Sequence, residues 1–184
     1  ERGEGFPVLL IAPGGMRSTI DTWNNMPWNP LELLAGHFRV IAMDQRNAGE
    51  SRAPVQASDS WHRYTQDQLA LLDHLGVERC HVLGMCIGGS YIMGLIEAAP
   101  ERIARAVMLQ PIGYDGTNRQ AFYDMFDSWA SELQAQRDEV ASSDLSSFRE
   151  SMYSGDFLFN VDRDFVAGVV TPLLILMGND LYHP

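Results

Sequence analysis

Cysteine is scarce in this sequence. Two cysteines in 184 residues, Cys80 and Cys86, do not make a disulfide framework, and one domain of this length buries roughly 70% of its unfolded surface without covalent staples. No apolar run is long enough to span a bilayer, and no leader pattern opens the sequence, so no membrane partner is expected. Positive charge is also short. Thirteen Lys and Arg face 24 Asp and Glu, a net charge of −11, with no basic stripe to displace the counterions of a phosphate backbone. Nucleic acid is therefore excluded as a partner. Neither a metal nor a cofactor is expected.

What is present concentrates between Arg79 and Ala99, RCHVLGMCIGGSYIMGLIEAA. A short apolar run from Cys80 to Leu83 breaks at Gly84, and a helical pattern starts just past Gly88 and Gly89. Strand, tight turn and helix follow one another, with Cys86 at the apex. G-x-C-x-G-G is the G-x-S-x-G nucleophile elbow with a thiol replacing the hydroxyl. Side chains at Gly84 or Gly88 would collide with the neighbouring strand or helix. The helix N-terminus favours negative charge at Cys86, and the Ile87 N–H is a candidate oxyanion donor.

Upstream, Pro7 to Ala12 (PVLLIA) is a continuous apolar run of the kind found in parallel sheets covered on both faces. It ends in Pro13-Gly14-Gly15-Met16, whose glycines let backbone N–H groups turn toward a ligand, making Gly15 and Met16 candidates for the second oxyanion donor. A short helix is expected from Leu31 to His37. Arg39 to Met43 is a second buried strand, running into Asp44-Gln45-Arg46-Asn47-Ala48-Gly49-Glu50-Ser51. Here the chain resembles the α/β-hydrolase superfamily, whose D-x-R-G-x-G-x-S loop is matched by Asp44, Arg46, Gly49 and Ser51, with Asn47 where Gly is usual. The resemblance implies a structural loop in which Asp44 and Arg46 brace turns.

Trp61 to Leu75 is an amphipathic helix stopped by Gly76, with Thr65 or a neighbour as its cap. Ile103 to Gln110 is the next strand, so the order of elements implies a doubly wound, mostly parallel α/β sheet. From Gly113 to Arg163 the pattern is helical. Phe122, Tyr123, Met125, Phe126, Trp129 and Leu133 form an aromatic-rich stripe, and a second helix runs from Asp144 to Tyr153. The resemblance implies a helical cap over residues 113–163 and a core of 1–112 plus 164–184. Leu173 to Met177 is a last buried strand ending in Gly178-Asn179-Asp180, where the superfamily commonly carries its triad acid; Asp180 is the candidate.

The base is harder to place. His74 and His81 sit at or toward the wrong ends of their elements, His62 is remote, and His183 stands too close to Asp180 to be a base on a separate loop. The superfamily's layout puts the histidine after one further strand, beyond Pro184. Its sheet usually has eight strands, so the chain is expected to be truncated at both ends.

A thiol in this elbow is similar to those of dienelactone hydrolases and polyhydroxyalkanoate synthases. Thiolate is a better leaving group than alkoxide, which favours activated acyl groups over peptides. The resulting expectation is a hydrolase of a small ester, thioester or lactone working through an acyl-cysteine, in a reducing, cytoplasmic setting. Transfer of the acyl group to another acceptor, or a binding module that has lost turnover, are the alternatives.

Overall fold

The computed structural model describes all 184 residues. Its centre is a parallel sheet of β1 (Pro7–Ile11), β2 (Arg39–Ala42), β3 (Cys80–Met85), β4 (Ile103–Leu109) and β5 (Leu173–Leu176). The spatial order is β2-β1-β3-β4-β5, so the chain winds outward from β1 first one way, then the other. This is the doubly wound arrangement that the alternation of apolar runs and helices predicts.

Side-chain alternation divides the core between the two faces of the sheet. Leu9, Ile11, Ile41, Val82, Ala106 and Met108 join the larger buried cluster with α2 (Trp61–His74) and α3 (Gly88–Ala98). Val8, Leu10 and Val40 turn the other way onto Trp23 and Leu31, the latter on the short α1 (Pro30–Leu33). Every residue of α3 from Gly88 to Ile96 is buried, as expected of a helix apolar all round. The α2 helix stops as its glycine requires. Gly76 takes φ +65°, while the Gly76 and Val77 N–H groups bond to Asp73 and Leu72 carbonyls at 3.1 and 2.8 Å, a Schellman closure.

Between β4 and β5 stand α4 (Arg119–Gln136), α5 (Ser142–Tyr153) and the short α6 (Arg163–Gly168). The aromatic stripe is core: Phe122, Phe126, Trp129 and Leu133 are buried, and Phe126 meets Phe148 of α5 edge-on at 5.2 Å.

Three sequence expectations change. Thr65 lies inside α2, donating to the Trp61 carbonyl, and Ser60 is the N-terminal flanking residue. The helix after Pro30 ends at Leu33 instead of reaching His37. β5 is exposed, Leu174 at 58% and Leu176 at 47%, because only Leu173 of its residues packs against the core; an edge position alone does not expose a strand, since β2 at the other edge buries Val40 and Ile41.

Candidate active site

Three turns at the carboxyl ends of strands meet near Cys86, where open α/β sheets bind ligands. The first is the elbow. Cys86 adopts φ +58°, a left-handed conformation costing a residue with a Cβ about 1–2 kcal/mol. It persists because its surroundings leave no room to relax. A Cβ on Gly84 would lie 2.8 Å from the Gly88 carbonyl oxygen, and one on Gly88 would lie 3.1 Å from that of Ile11. Backbone bonds close the turn: Cys86 N–H donates to Leu109 at 2.9 Å, and the Cys86 carbonyl accepts from Gly89 and Ile112 at 3.1 and 3.2 Å. Cys86 is only partly buried, so its thiol is open to a ligand. Ile87 is fully buried, and its N–H donates to no turn or loop carbonyl, leaving it for an oxyanion.

The contact of Gly88 with Ile11 places the second turn beside the elbow. Gly14 and Gly15 take φ of +119° and +59°, and a 3₁₀ turn over Gly15–Arg17 follows. It is closed by Arg17 and Ser18 N–H groups on the Gly14 and Gly15 carbonyls, at 3.0 and 3.2 Å. Met16 is 1% exposed.

The third turn, after β5, holds Asp180 and His183. Asp180 Oδ1 accepts the Tyr182 and His183 N–H groups at 2.9 and 3.1 Å. His183 Nδ1 lies 2.8 and 2.9 Å from the two carboxylate oxygens. Gly178 makes the fold-back possible, since a Cβ there would come within 2.4 Å of His183 Cβ. Asn118, 2% exposed, pins the turn by donating to the carbonyls of Leu181 and Gly113 at 2.8 and 2.9 Å. Ile112 N–H reaches the Cys86 carbonyl, and Gly113 N–H reaches the Tyr182 carbonyl at 3.2 Å, so successive residues carry the Cys86 turn and the His183 turn.

The electrostatics agree. The Cys86 sulfur, the largest cause, with help from Asp180, raises the His183 imidazole to about 9 against the opposing effect of burial. Hydrogen bonding from His183 holds the Asp180 carboxyl below its usual range. His183 Nε2 is buried without a hydrogen-bond partner.

The sequence reading sets His183 aside as too close to Asp180 and looks for the base beyond Pro184; the structure does bring the His183 imidazole onto the Asp180 carboxylate, which makes it a candidate base. A tight turn needs no second loop to fold an imidazole back onto a carboxylate three residues earlier. The other histidines stay away, as expected. His62 and His74 are exposed, and His81 packs between Phe6 and Phe38 at 4.6 and 6.1 Å. Asp44 and Arg46 are braces. Asp44 accepts from Ile20 and Glu50 N–H groups at 2.7 and 3.0 Å, and Arg46 makes a bidentate pair with Asp67 at 2.7 Å. Asn118 was not marked by the sequence; only an Asp-x-x-Asn turn at Asp115 hinted at it.

The α/β hydrolase fold family pattern matches residues 7–165, and the chain belongs to that family. It is 33% identical over 119 residues to a 2-hydroxymuconate semialdehyde hydrolase of Pseudomonas putida, a stretch covering 61% of this chain and 39% of that protein. It is 28% identical over 106 residues to carboxylesterase YbfK of Bacillus subtilis, covering 57% and 34%. The chain thus spans well under half the length of these curated relatives. A solved meta-cleavage product hydrolase from Pseudomonas fluorescens IP01 superposes with a TM-score of 0.65 at 23% identity, over 95% of this chain and 72% of that one. No helix of the chain is long and apolar enough to cross a membrane.

Proposed function

We propose that this chain is the catalytic core of a hydrolase that cleaves a small ester, thioester or lactone through an acyl-cysteine at Cys86. The observation that carries this reading is the Cys86 apex, strained at φ +58°, with an imidazole raised by its sulfur and held by Asp180. The names of the relatives, a 2-hydroxymuconate semialdehyde hydrolase and a carboxylesterase, support the reaction class.

The sulfur adds to the acyl carbonyl carbon, and the oxyanion settles on the Ile87 N–H and on that of Gly15 or Met16. The tetrahedral adduct collapses by breaking the carbon–oxygen bond, and His183, protonated, gives its proton to the leaving alkoxide. Water then attacks the thioester while His183 takes its proton; release of the carboxylic acid restores the sulfur. Asp180 keeps the imidazole turned toward Cys86. Residues 113–163 act as a cap over this site, and a reactive thiol of this kind suits a reducing compartment such as the cytoplasm.

The test is intact-protein mass spectrometry after mixing with p-nitrophenyl acetate. An acetyl adduct on Cys86 that decays in water is expected. An adduct persisting until an amine or alcohol is added would mean acyl transfer instead, and no adduct would leave a binding module. His183→Gln at full turnover would move the base to a histidine elsewhere in the protein.

A further inference from the structure

The Gly15–Arg17 turn is held, residue by residue, by α4 and α5, in the core at Met16 and at the surface at Arg17. Met125 Sδ fills the space beside Gly15, lying 2.6 Å from where a Cβ would stand. Tyr153 Oη, on α5, donates to Met16 Sδ at 3.7 Å. Arg17 reaches across to α4, with Nε on Glu132 Oε2 at 2.9 Å, Nη2 on Ser128 Oγ at 3.0 Å and Nη2 on Glu132 Oε1 at 2.7 Å. Met125, Ser128 and Glu132 are spaced i, i+3, i+7, which aligns them on one face of α4.

This convergence is not needed to fold the turn, which already closes its own backbone bonds at Arg17 and Ser18. It ties the turn's position relative to Cys86 to the position of the helical insertion. We infer that α4, through Arg17, is a positioning device for the oxyanion hole: when α4 is seated the Gly15 and Met16 N–H groups stand opposite Ile87, and when α4 lifts they lose that register. The inference deepens the reading of Cys86 as nucleophile. Arg17, Ser128 and Glu132 are positioning residues in it, acting through the turn without touching the acyl group.

An exposed ion pair alone contributes little to stability. The fork of Arg17 on two acceptors is directional, and direction matters here because misplacing a group at the site by about 1 Å is enough to cost on the order of 10²-fold in rate.

The experiment uses the whole protein, the burst of p-nitrophenyl acetate acylation and amide hydrogen exchange at Arg17 and Ser18. The Ser128→Ala/Glu132→Gln double variant is expected to acylate about tenfold slower at saturating ester with KM within about twofold, and to exchange the two amides faster, while exchange in α3 is unchanged. Arg17→Glu should behave like it, and adding Glu132→Arg should return most of the lost rate. Unchanged exchange and unchanged rate in the double variant would overturn the inference, as would loss spread equally over α3. If the wild-type protein forms no Cys86 adduct, the hydrolase reading fails, and the exchange arm still decides whether α4 holds the turn.

Discussion

The elbow after β3 and the turn after β5 carry Cys86 and the Asp180–His183 pair, and they are held by opposite means. The elbow is fixed by steric exclusion: Gly84 against Gly88, Gly88 against Ile11, and Cys86 forced to positive φ between them. The β5 turn is exposed on its Asp180 side and is fixed by polar contacts, with Asp180 accepting from Tyr182, His183 and the imidazole. Packing repels every alternative with a backbone atom in the way, whereas a hydrogen-bonded turn exchanges its bonds for water at small net change. The position of Cys86 is therefore bound up with the stability of the whole domain, and that of His183 is largely free of it.

Substitutions on each side should separate the two. Asp180→Asn removes the carboxylate that orients the imidazole, and about 10⁴-fold of acylation rate should vanish, by analogy with triads that lose their acid. Its urea midpoint should move by less than about 1 kcal/mol equivalent, since the carboxylate is exposed. Gly84→Val does the reverse in kind: the new side chain meets backbone, so about 3 kcal/mol or more of stability is expected to go along with activity. A collapse of stability in the Asp180 variant would erase the contrast.

Relaxing the elbow gives a smaller effect of the opposite sign. Cys86→Gly loses the nucleophile but also the left-handed strain, so the protein should unfold about 1 kcal/mol later and form no adduct. Failure to gain stability would mean that the strain is relieved by contacts of the thiol itself.

The polar turn should answer to pH where the elbow does not. His183 is raised from its ordinary 6.5 to about 9, so its contribution to stability is fully present below pH 6.5 and is lost as pH rises through about 9. Asp180 is lowered, so its contribution is present above the ordinary carboxylate range and is lost as pH falls through the depressed value. The turn is best held between the two. Histidine NMR of the whole protein should show one imidazole titrating near 9, and Cys86→Ala should bring it back toward the ordinary range, because the sulfur is the leading cause of the shift.

The same division explains what the sequence makes legible. Apolar runs of strand length and a thiol between glycines have steric consequences that are local, so β1 to β5, the elbow and the left-handed stop at Gly76 can be read without coordinates. Side-chain hydrogen bonds across a turn have no such signature. His183 is rejected when acid and base are assumed to need separate loops, and Asn118, which pins the turn from 63 residues away, looks like any polar residue before a helix. Burial of β5 fails differently: LLIL is apolar enough for a central strand, but burial depends on neighbours that four residues cannot specify.

Asn47 combines both means of holding a turn and so sharpens the comparison with the smallest effect. It takes φ +57° where the resemblance leads one to expect glycine, and its side chain supplies the reason. Oδ1 accepts from Ala53 N–H at 2.9 Å and from Arg137 Nη1 at 3.0 Å, while its carbonyl accepts from Trp129 Nε1 at 3.3 Å. Asn47→Gly keeps the carbonyl bond and removes both side-chain bonds, a loss of about 2 kcal/mol at roughly 1 kcal/mol each. Against this stand the freedom glycine has at positive φ and release of the buried, unpartnered Nδ2, together about 1 kcal/mol. The balance is a loss of about 1 kcal/mol in the urea midpoint, with acylation slowed by less than in the Ser128→Ala/Glu132→Gln variant, because Asn47 keeps its carbonyl bond to Trp129 of α4 and loses only the bond to Arg137 at that helix's end. A gain in stability would show that the left-handed strain outweighs the polar tie, and that at this loop, as at the elbow, sterics decide.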